Sequence, residues 1–263
     1  NIDRVASITI LKDAASTAIY GSKAANGVVV VETVKPEPGK LRFSYSGNYQ
    51  VAWADLTDYN MMNAREKLAY EKLAGRYASG DYNLDANGEI IDEDQRQIYY
   101  NRLKLVEQGL DSYWLNEPLR TAFTQTHNIY VDGGDSAFLY GVGVNYSNTQ
   151  GVMKGSGKDA LNGNIRLTYR VDRLSFSNNT NLNYNTSDTE PVAFRNFVNA
   201  NPYYSKYNEN GEITKYFERT ATLSGYEYAY NPLWDFNQKS YNRTNTFSLN
   251  NNFQVEWRIL EEL

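Results

Sequence analysis

Apolar and polar residues alternate with a period of two through most of this chain. In Leu41–Val51 the odd positions are Leu41, Phe43, Tyr45, Gly47, Tyr49 and Val51, and the even ones are Arg42, Ser44, Ser46, Asn48 and Gln50. Residues 137–147 repeat the pattern, with Phe138, Tyr140, Val142, Val144 and Tyr146 on one face. In 161–171, Leu161, Ile165, Leu167, Tyr169 and Val171 alternate with Asn162, Asn164, Arg166, Thr168 and Arg170. Residues 174–185 set Leu174, Phe176, Leu182 and Tyr184 against Ser175, Ser177, Asn179, Asn181 and Asn183. The last run sets Phe247, Leu249, Phe253, Val255, Trp257 and Ile259 against Ser248, Asn250, Asn252, Gln254, Glu256 and Arg258. His127–Asp132 reads as a shorter, sixth strand. This period predicts strands with one apolar and one polar face. The long runs cover about 11 to 15 residues, at or above the roughly 9–11 that a tilted strand needs to cross a bilayer. A barrel wall with lipid outside and water inside accounts for them, and so does a soluble antiparallel sandwich.

The connections favour the barrel. Strands two and three are joined tightly around Gly133-Gly134-Asp135, and strands four and five at Val171-Asp172-Arg173. The stretch 148–160 is of medium length, and 52–126 and 189–243 are long. Short turns at one end and long loops at the other are the outer-membrane pattern, with the long loops extracellular. Within the first loop, 58–78 reads as a helix with Met62, Ala69, Leu73 and Tyr77 near one face. A second helix is expected over 93–108, with Asp92 and Gln95 at its start, Tyr99, Leu103 and Val106 on a face, and Gly109 ending it.

Residues 1–34 behave differently. Ile2–Leu11 reads as a strand, Lys12–Tyr20 as a short helix of small residues, Gly21–Gly27 as a turn, and Val28–Thr33 as a strand. The valine run Val28–Val31 has no polar face, which predicts burial on both sides. Pro36, Pro38 and Gly39 break structure before the first long strand. This block, ASITILKDAASTAIYGSKAANGVVVVETVK (6–35), is similar to the last part of the plug in TonB-dependent receptors of the SusC/RagA type. Lys12, Asp13, Ala14, Ala18, Ile19, Tyr20, Gly21, Ala25, Asn26, Gly27 and Val28 stand where that family's pattern wants them; Glu32 and Lys35 depart slightly from its usual exit. Further stretches resemble the same family in order: 111–135, 140–159 and NPLWDF at 231–236.

The resemblance implies the C-terminal part of a plug over 1–35, followed over 36–263 by about six of the roughly 22 strands of a transmembrane β-barrel. The fold class expected is therefore mainly β, an antiparallel barrel portion preceded by part of an α/β plug. It also implies active import of oligosaccharides or peptides across a bacterial outer membrane, a SusD-like surface lipoprotein as lid, and energy from a TonB–ExbB–ExbD complex acting through an N-terminal segment outside this chain. In the plug motif, Lys12, Asp13, Ala14, Tyr20, Gly21, Asn26 and Gly27 take structural or gating roles. Asn1 follows no Met, and the chain stops within 257–263, just after a strong strand, so both ends read as cuts in a longer protein. The other class that the residues allow is a soluble secreted β-sandwich that binds glycans.

Composition narrows the chemistry. The chain of 263 residues has a formal net charge of −5, which makes nucleic acid a poor partner, and no cysteine, so it has neither disulfides nor thiolate metal sites. Mean hydropathy is −0.64, yet 23 tyrosines, 10 phenylalanines and 4 tryptophans are present, a profile that polar-lumen barrels share. His127 is the single histidine, and reads as an interfacial or loop-packing residue rather than a catalytic one. Glu89, Asp92, Glu93 and Asp94 read as a solvated turn and helix start rather than paired catalytic carboxylates, and no enzymatic activity is expected. Asn83, Asp85, Asn87 and Asp94 follow the order of a calcium loop but lack its first Asp and last Glu, so calcium is a weak candidate cofactor and no other is expected. Asn208–Ile213 repeats the motif without the downstream acids, which favours plain Asn-Gly turns. For cargo or partner contact the candidates are Arg42, Arg166, Arg170 and Arg258 on the polar faces. In the loops they are Trp53, Tyr113, Trp114, Tyr203, Tyr204, Tyr226, Tyr228, Tyr230 and Trp234.

Overall fold

The computed structural model describes residues 5–13, 20–21, 24, 26–77, 93–222, 225–238, 240 and 242–259, with side chains omitted at 93–94, 220–222 and 225–227. Two strands, β1 (Val5–Leu11) and β2 (Val28–Thr33), pair antiparallel as a ribbon. The main sheet contains β3 (Gly39–Ala52), β4 (Ala122–Gly134), β5 (Phe138–Gln150), β6 (Gly157–Val171), β7 (Leu174–Thr189) and β10 (Asn242–Trp257). Its order is β10-β7-β6-β5-β4-β3, antiparallel throughout, with β3 and β10 as open edges among the described residues. The chain is mainly β and forms a partial barrel that does not close on itself.

The strands are 13 to 16 residues long, as the alternation requires of a spanning wall. The fourth strand of the chain starts at Ala122, five residues before the expected His127. Gln125 and His127 fall on its apolar face, which hides the alternation there. His127 occupies a row of aromatic groups at the loop end of that face. Its Nδ1 lies 2.7 Å from the Tyr45 hydroxyl, and its ring stands edge-on to Tyr49.

Register converts the alternation into a surface. On the apolar face Tyr45, Ile129, Val144, Gly163, Leu182 and Leu249 stand side by side across all six strands. Toward the tight turns a row of Phe138, Tyr169 and Phe176 follows; toward the long loops, His127, Tyr146, Leu161, Tyr184 and Phe247. On β5 these aromatic rows are eight residues apart, from Phe138 to Tyr146. At roughly 3.3 Å per residue and a tilt of roughly 40°, that is about 20 Å of height, close to the apolar band of an outer-membrane barrel. Among the described residues no second sheet stacks on this face, and Phe43, Leu41 and Trp257 are exposed on it. The sandwich alternative needs such a sheet.

Three polar residues interrupt the band. Asn178, Thr180 and Asn251 point out among Val142, Ile165 and Phe253, at positions that the sequence reading passed over. They satisfy one another. Asn178 Nδ2 donates to Asn251 Oδ1 (3.3 Å), Asn251 Nδ2 donates to Asn178 Oδ1 (3.2 Å) and to Thr180 Oγ1 (2.7 Å), and Thr180 Oγ1 donates to Asn178 Oδ1 (2.9 Å). Mutual pairing lowers the cost of polar groups on an apolar surface.

The turns sit where expected. Asp135 Oδ1 accepts from the amides of Ala137 and Phe138 between β4 and β5, and Asp172 takes φ of 50° between β6 and β7. At the opposite end the long connections fold into a cap. Helix α1 (Ala64–Leu73) starts at Asn63, whose side chain accepts from the Glu66 amide while Glu66 reaches back to the Asn63 amide. It is shorter than the expected 58–78 because this capping box sets its start. Its buried face is Ala64, Leu68 and Glu71, so Met62 and Leu73, placed on the inner face by sequence, are exposed instead. Helix α2 (Glu93–Glu107) ends at Gly109, φ 97°, as the pattern indicated. Helices α3 (Phe194–Val198) and α4 (Pro232–Phe236) and a hairpin of β8 (Tyr216–Thr222) and β9 (Gly225–Tyr230), none of them anticipated, complete the cap.

The Val28–Val31 expectation is corrected. Val29 is 61% and Val31 52% exposed, because β2 has β1 alone as a neighbour among the described residues and nothing covers its other face.

Two outcomes follow for the protein folded in lipid. Leu167→Arg, on the apolar face, is expected to cost about 2–4 kcal/mol near the midplane, and Thr168→Arg, on the polar face, much less. Denaturant titration in vesicles measures both, and equal penalties would count against a one-sided wall. Asn251→Leu strands the Asn178 amide and should cost about 1–3 kcal/mol, most of it recovered in the Asn178→Leu/Thr180→Val/Asn251→Leu triple variant.

Candidate functional site

Two regions of the structure offer surfaces for function: the polar inner face of the sheet and the cap above it. The inner face is laid out by the even positions of β3 and β6 and their partners. One row reads Ser46, Asn128, Asn145, Asn162, Asn183 and Ser248 across the six strands; the next reads Ser44, Tyr130, Gly143, Asn164, Asn181 and Asn250. The amides bond along the rows. Asn162 Nδ2 donates to Asn145 Oδ1 (2.9 Å), Asn145 Nδ2 to Asn128 Oδ1, and Asn128 Nδ2 to Ser46 Oγ (3.2 Å). Each bond uses one of an amide's two N–H groups, so the face stays rich in donors and acceptors.

The exit of β2 lies against this face. Arg166 Nη2 donates to Thr33 Oγ1 across the gap (3.2 Å), and Pro36 approaches Gly141. Tyr130 lies flat over Gly141 and Gly143, where any side chain would displace it. Between Thr33, Val34 and the asparagine rows a cleft of ≈ 600 Å³ remains.

The cap has a core of its own, made from both long loops: Ala64, Leu68, Tyr77, Val106, Trp114, Val192, Phe197, Tyr203, Tyr204 and Leu233. At its centre are two buried charges. Glu71 accepts from the hydroxyls of Tyr77 (2.9 Å) and Tyr203 (2.9 Å). Arg102 donates through Nε to Glu218 Oε1 (3.0 Å), through Nη2 to Glu218 Oε2, and through Nη1 to the Tyr77 hydroxyl (2.8 Å); it lies 4.7 Å from the centre of the Tyr203 ring. Burial works against the Arg102 charge, but the bond to Glu218 and neighbouring groups hold its pKa above the usual value. The cap is tied to the wall through Arg120, whose Nε and Nη2 donate to the carbonyls of Gly151 (3.0 Å) and Ser156 (2.8 Å).

These placements revise the candidates. Trp114 is 2% and Tyr203 1% exposed, and Tyr204 is buried; all three build the cap core and present no face to a cargo. Sequence could not separate them from Tyr113, Trp53, Tyr228 and Tyr230, which are exposed. Trp234 is half-buried. Arg42 is engaged by Asp132 and by Glu37 (3.3 Å). Arg170 is exposed on the inner face toward the tight turns. In the plug motif Lys12, Asp13, Tyr20 and Asn26 are exposed, and Gly21 and Gly27 adopt φ of 70° and 92°. Ala14 lies outside the described residues. So do Asn83, Asp85 and Asn87 of the calcium motif, together with the side chain of Asp94; among the described residues no cluster of three His, Asp or Glu side chains forms. The related stretch at 208–212 is a turn, closed by Asn208 Oδ1 accepting from the amides of Asn210 (3.0 Å) and Glu212 (2.8 Å).

Burial pushes the Tyr204 hydroxyl up to about 12, and those of Tyr77 and Tyr203 higher still. The folded cap therefore holds these protons more tightly than the unfolded chain, for which the value is 10.0. Their contribution is complete below pH 10 and is lost as pH rises through about 12. Limited proteolysis of the loops, followed with tyrosinate absorbance, should show protection that is flat up to pH 10 and falls above it. Loss beginning well below pH 10 would mean that these tyrosines do not hold the cap.

No family model matches the chain. It is 26% identical to the TonB-dependent receptor SusC of Bacteroides thetaiotaomicron over 178 residues, which is 66% of this chain and 15% of that protein. To the TonB-dependent receptor P26 of Formosa agariphila it is 28% identical over 223 residues, 83% of this chain and 20% of that one. In solved structures, the RagAB peptide transporter matches with a TM-score of 0.74 at 18% identity, over 99% of this chain and 31% of that chain. The RagAB peptide importer in the closed-closed state gives 0.72 at 19%, with the same coverage. The chain thus spans 15–20% of the length of these two curated relatives, and along that span its sequence is similar to TonB-dependent receptors of the SusC type and its fold matches RagAB.

Proposed function

We propose that this chain is part of a TonB-dependent active transporter of the bacterial outer membrane, importing oligosaccharides or peptides together with a SusD-like surface lipoprotein. One observation carries this reading. A single sheet has an apolar band between aromatic rows on one face and hydrogen-bonded asparagines on the other, with the exit of β2 lying on the asparagine side. Lipid suits the first face; water, cargo and a plug suit the second. Residues 1–35 are then the last part of the plug and 36–263 the first part of the barrel. The cap takes the extracellular side, where the exposed Tyr113, Trp53, Tyr228 and Tyr230 are available to the lipoprotein or to cargo. Peptide import follows the likeness to RagAB, and oligosaccharide import is what the resemblance of the sequence motifs implies. Energy reaches the plug from a TonB–ExbB–ExbD complex through segments outside this chain.

Gly27 gives the test. At φ 92°, with an added Cβ only 3.1 Å from the Leu11 carbonyl oxygen, Gly27→Val strains the turn that aligns β2 with β1. The full-length variant, expressed at the wild-type level in the outer membrane, should retain cargo binding to de-energised cells but lose most accumulation in energised cells. Loss of binding in step with uptake would mean that the segment shapes the binding site. Wild-type values in both assays, or a parent protein recovered without detergent, would overturn the reading.

A further inference from the structure

The cleft beneath β2 holds one charge. Its described lining is hydroxyl, amide, glycine and apolar, with Arg166 as the single ionic group and no carboxylate. Arg166 faces Gly141 on one side and Asn179 on the other. Among the described residues its one side-chain bond goes to the neutral Thr33 hydroxyl, which leaves most of its five N–H donors uncommitted there. Arg42, Arg65, Arg102 and Arg243 each engage a carboxylate, whereas Arg166 brings its charge into a cleft whose other described lining is neutral.

The neighbouring amides are turned to suit an anion. Asn164 Nδ2 donates both of its N–H groups, one to Asn179 Oδ1 (2.9 Å) and one to Asn181 Oδ1 (2.7 Å). This fixes the two carbonyl oxygens on Asn164 and leaves as donors the Nδ2 groups of Asn179, directly opposite Arg166, and of Asn181, two residues along the same strand. We propose that Arg166, with the amides of Asn179 and Asn181, forms a carboxylate-binding site on the inner wall. A planar guanidinium fork matches a carboxylate through two parallel bonds, and the adjoining amides add donors without competing acceptors. Arg170, four residues along the same face toward the tight turns and about 13 Å away, adds a second positive charge to the wall. The carboxylate comes from an acidic group of the cargo or from an acidic side chain of the plug. The transporter reading underlies that choice of source; the site itself does not depend on transport.

The test uses the full-length protein, purified in detergent, with one reporter cysteine at Asn145 and no other accessible cysteine. Rates of modification by an anionic and a cationic methanethiosulfonate are compared with Arg166 present, with Arg166→Lys and with Arg166→Gln, and acetate is titrated as the carboxylate probe. Heat-modifiability on gels confirms that each variant is folded. An open site gives an anionic preference that falls several-fold in Arg166→Gln, survives in part in Arg166→Lys, and is reduced by acetate only when Arg166 is present; the cargo is then the source. If wild type shows no preference, but Arg166→Gln makes the outer membrane leaky to large antibiotics, a plug carboxylate already occupies the site. If Arg166→Gln changes neither preference nor leak, Arg166 is simply solvated and the proposal fails. None of these readouts involves uptake, so failure of the site and failure of the transport reading are separable.

Discussion

A strand that is wet on one face and apolar on the other must satisfy its backbone sideways. Every peptide N–H and C=O in β3 to β7 and β10 points in the plane of the sheet, so neighbouring strands are the partners available at membrane depth. The long, unbroken antiparallel ladders meet that demand over 13 to 16 residues in each strand. Everything else is arranged around this constraint. Side chains are free to specialise by face because the backbone asks nothing of them, and irregular structure is confined to the ends, where water or protein can satisfy it.

That freedom explains what was legible in the sequence. Period-two alternation pointed to all six long strands, and the short turns and long loops were found at opposite ends of the sheet. Its failures were local and physical. The start of β4 was hidden because Gln125 and His127 take apolar-face positions within an aromatic row. Asn178, Thr180 and Asn251 left no signal, since their compatibility with the apolar face lies in bonds between two strands that are distant in sequence. The cap was harder. Helix α2 and its glycine stop were readable from local pattern, but the buried partners of Glu71 and Arg102 come from residues 77 to 218, and no periodicity links them.

Composition also divides differently from what the candidates suggested. Exposed and buried tyrosines look alike in sequence, and the structure sorts them by hydrogen bonding. Tyr77, Tyr203 and Tyr204 are inside because their hydroxyls answer the needs of two buried ions, and each ring covers the guanidinium of Arg102. Removing a partner from such a network leaves an uncompensated charge, which typically costs about 3–5 kcal/mol. A cap built this way holds one arrangement of its loops.

The inner wall follows the opposite logic. Its asparagines are joined by neutral amide hydrogen bonds that exchange with water at little cost, because each amide keeps a spare donor or acceptor. Across from Gly141, Arg166 brings a cation into a cleft whose other described lining is hydroxyl, amide, glycine and apolar, so its neighbourhood differs from the amide rows around it.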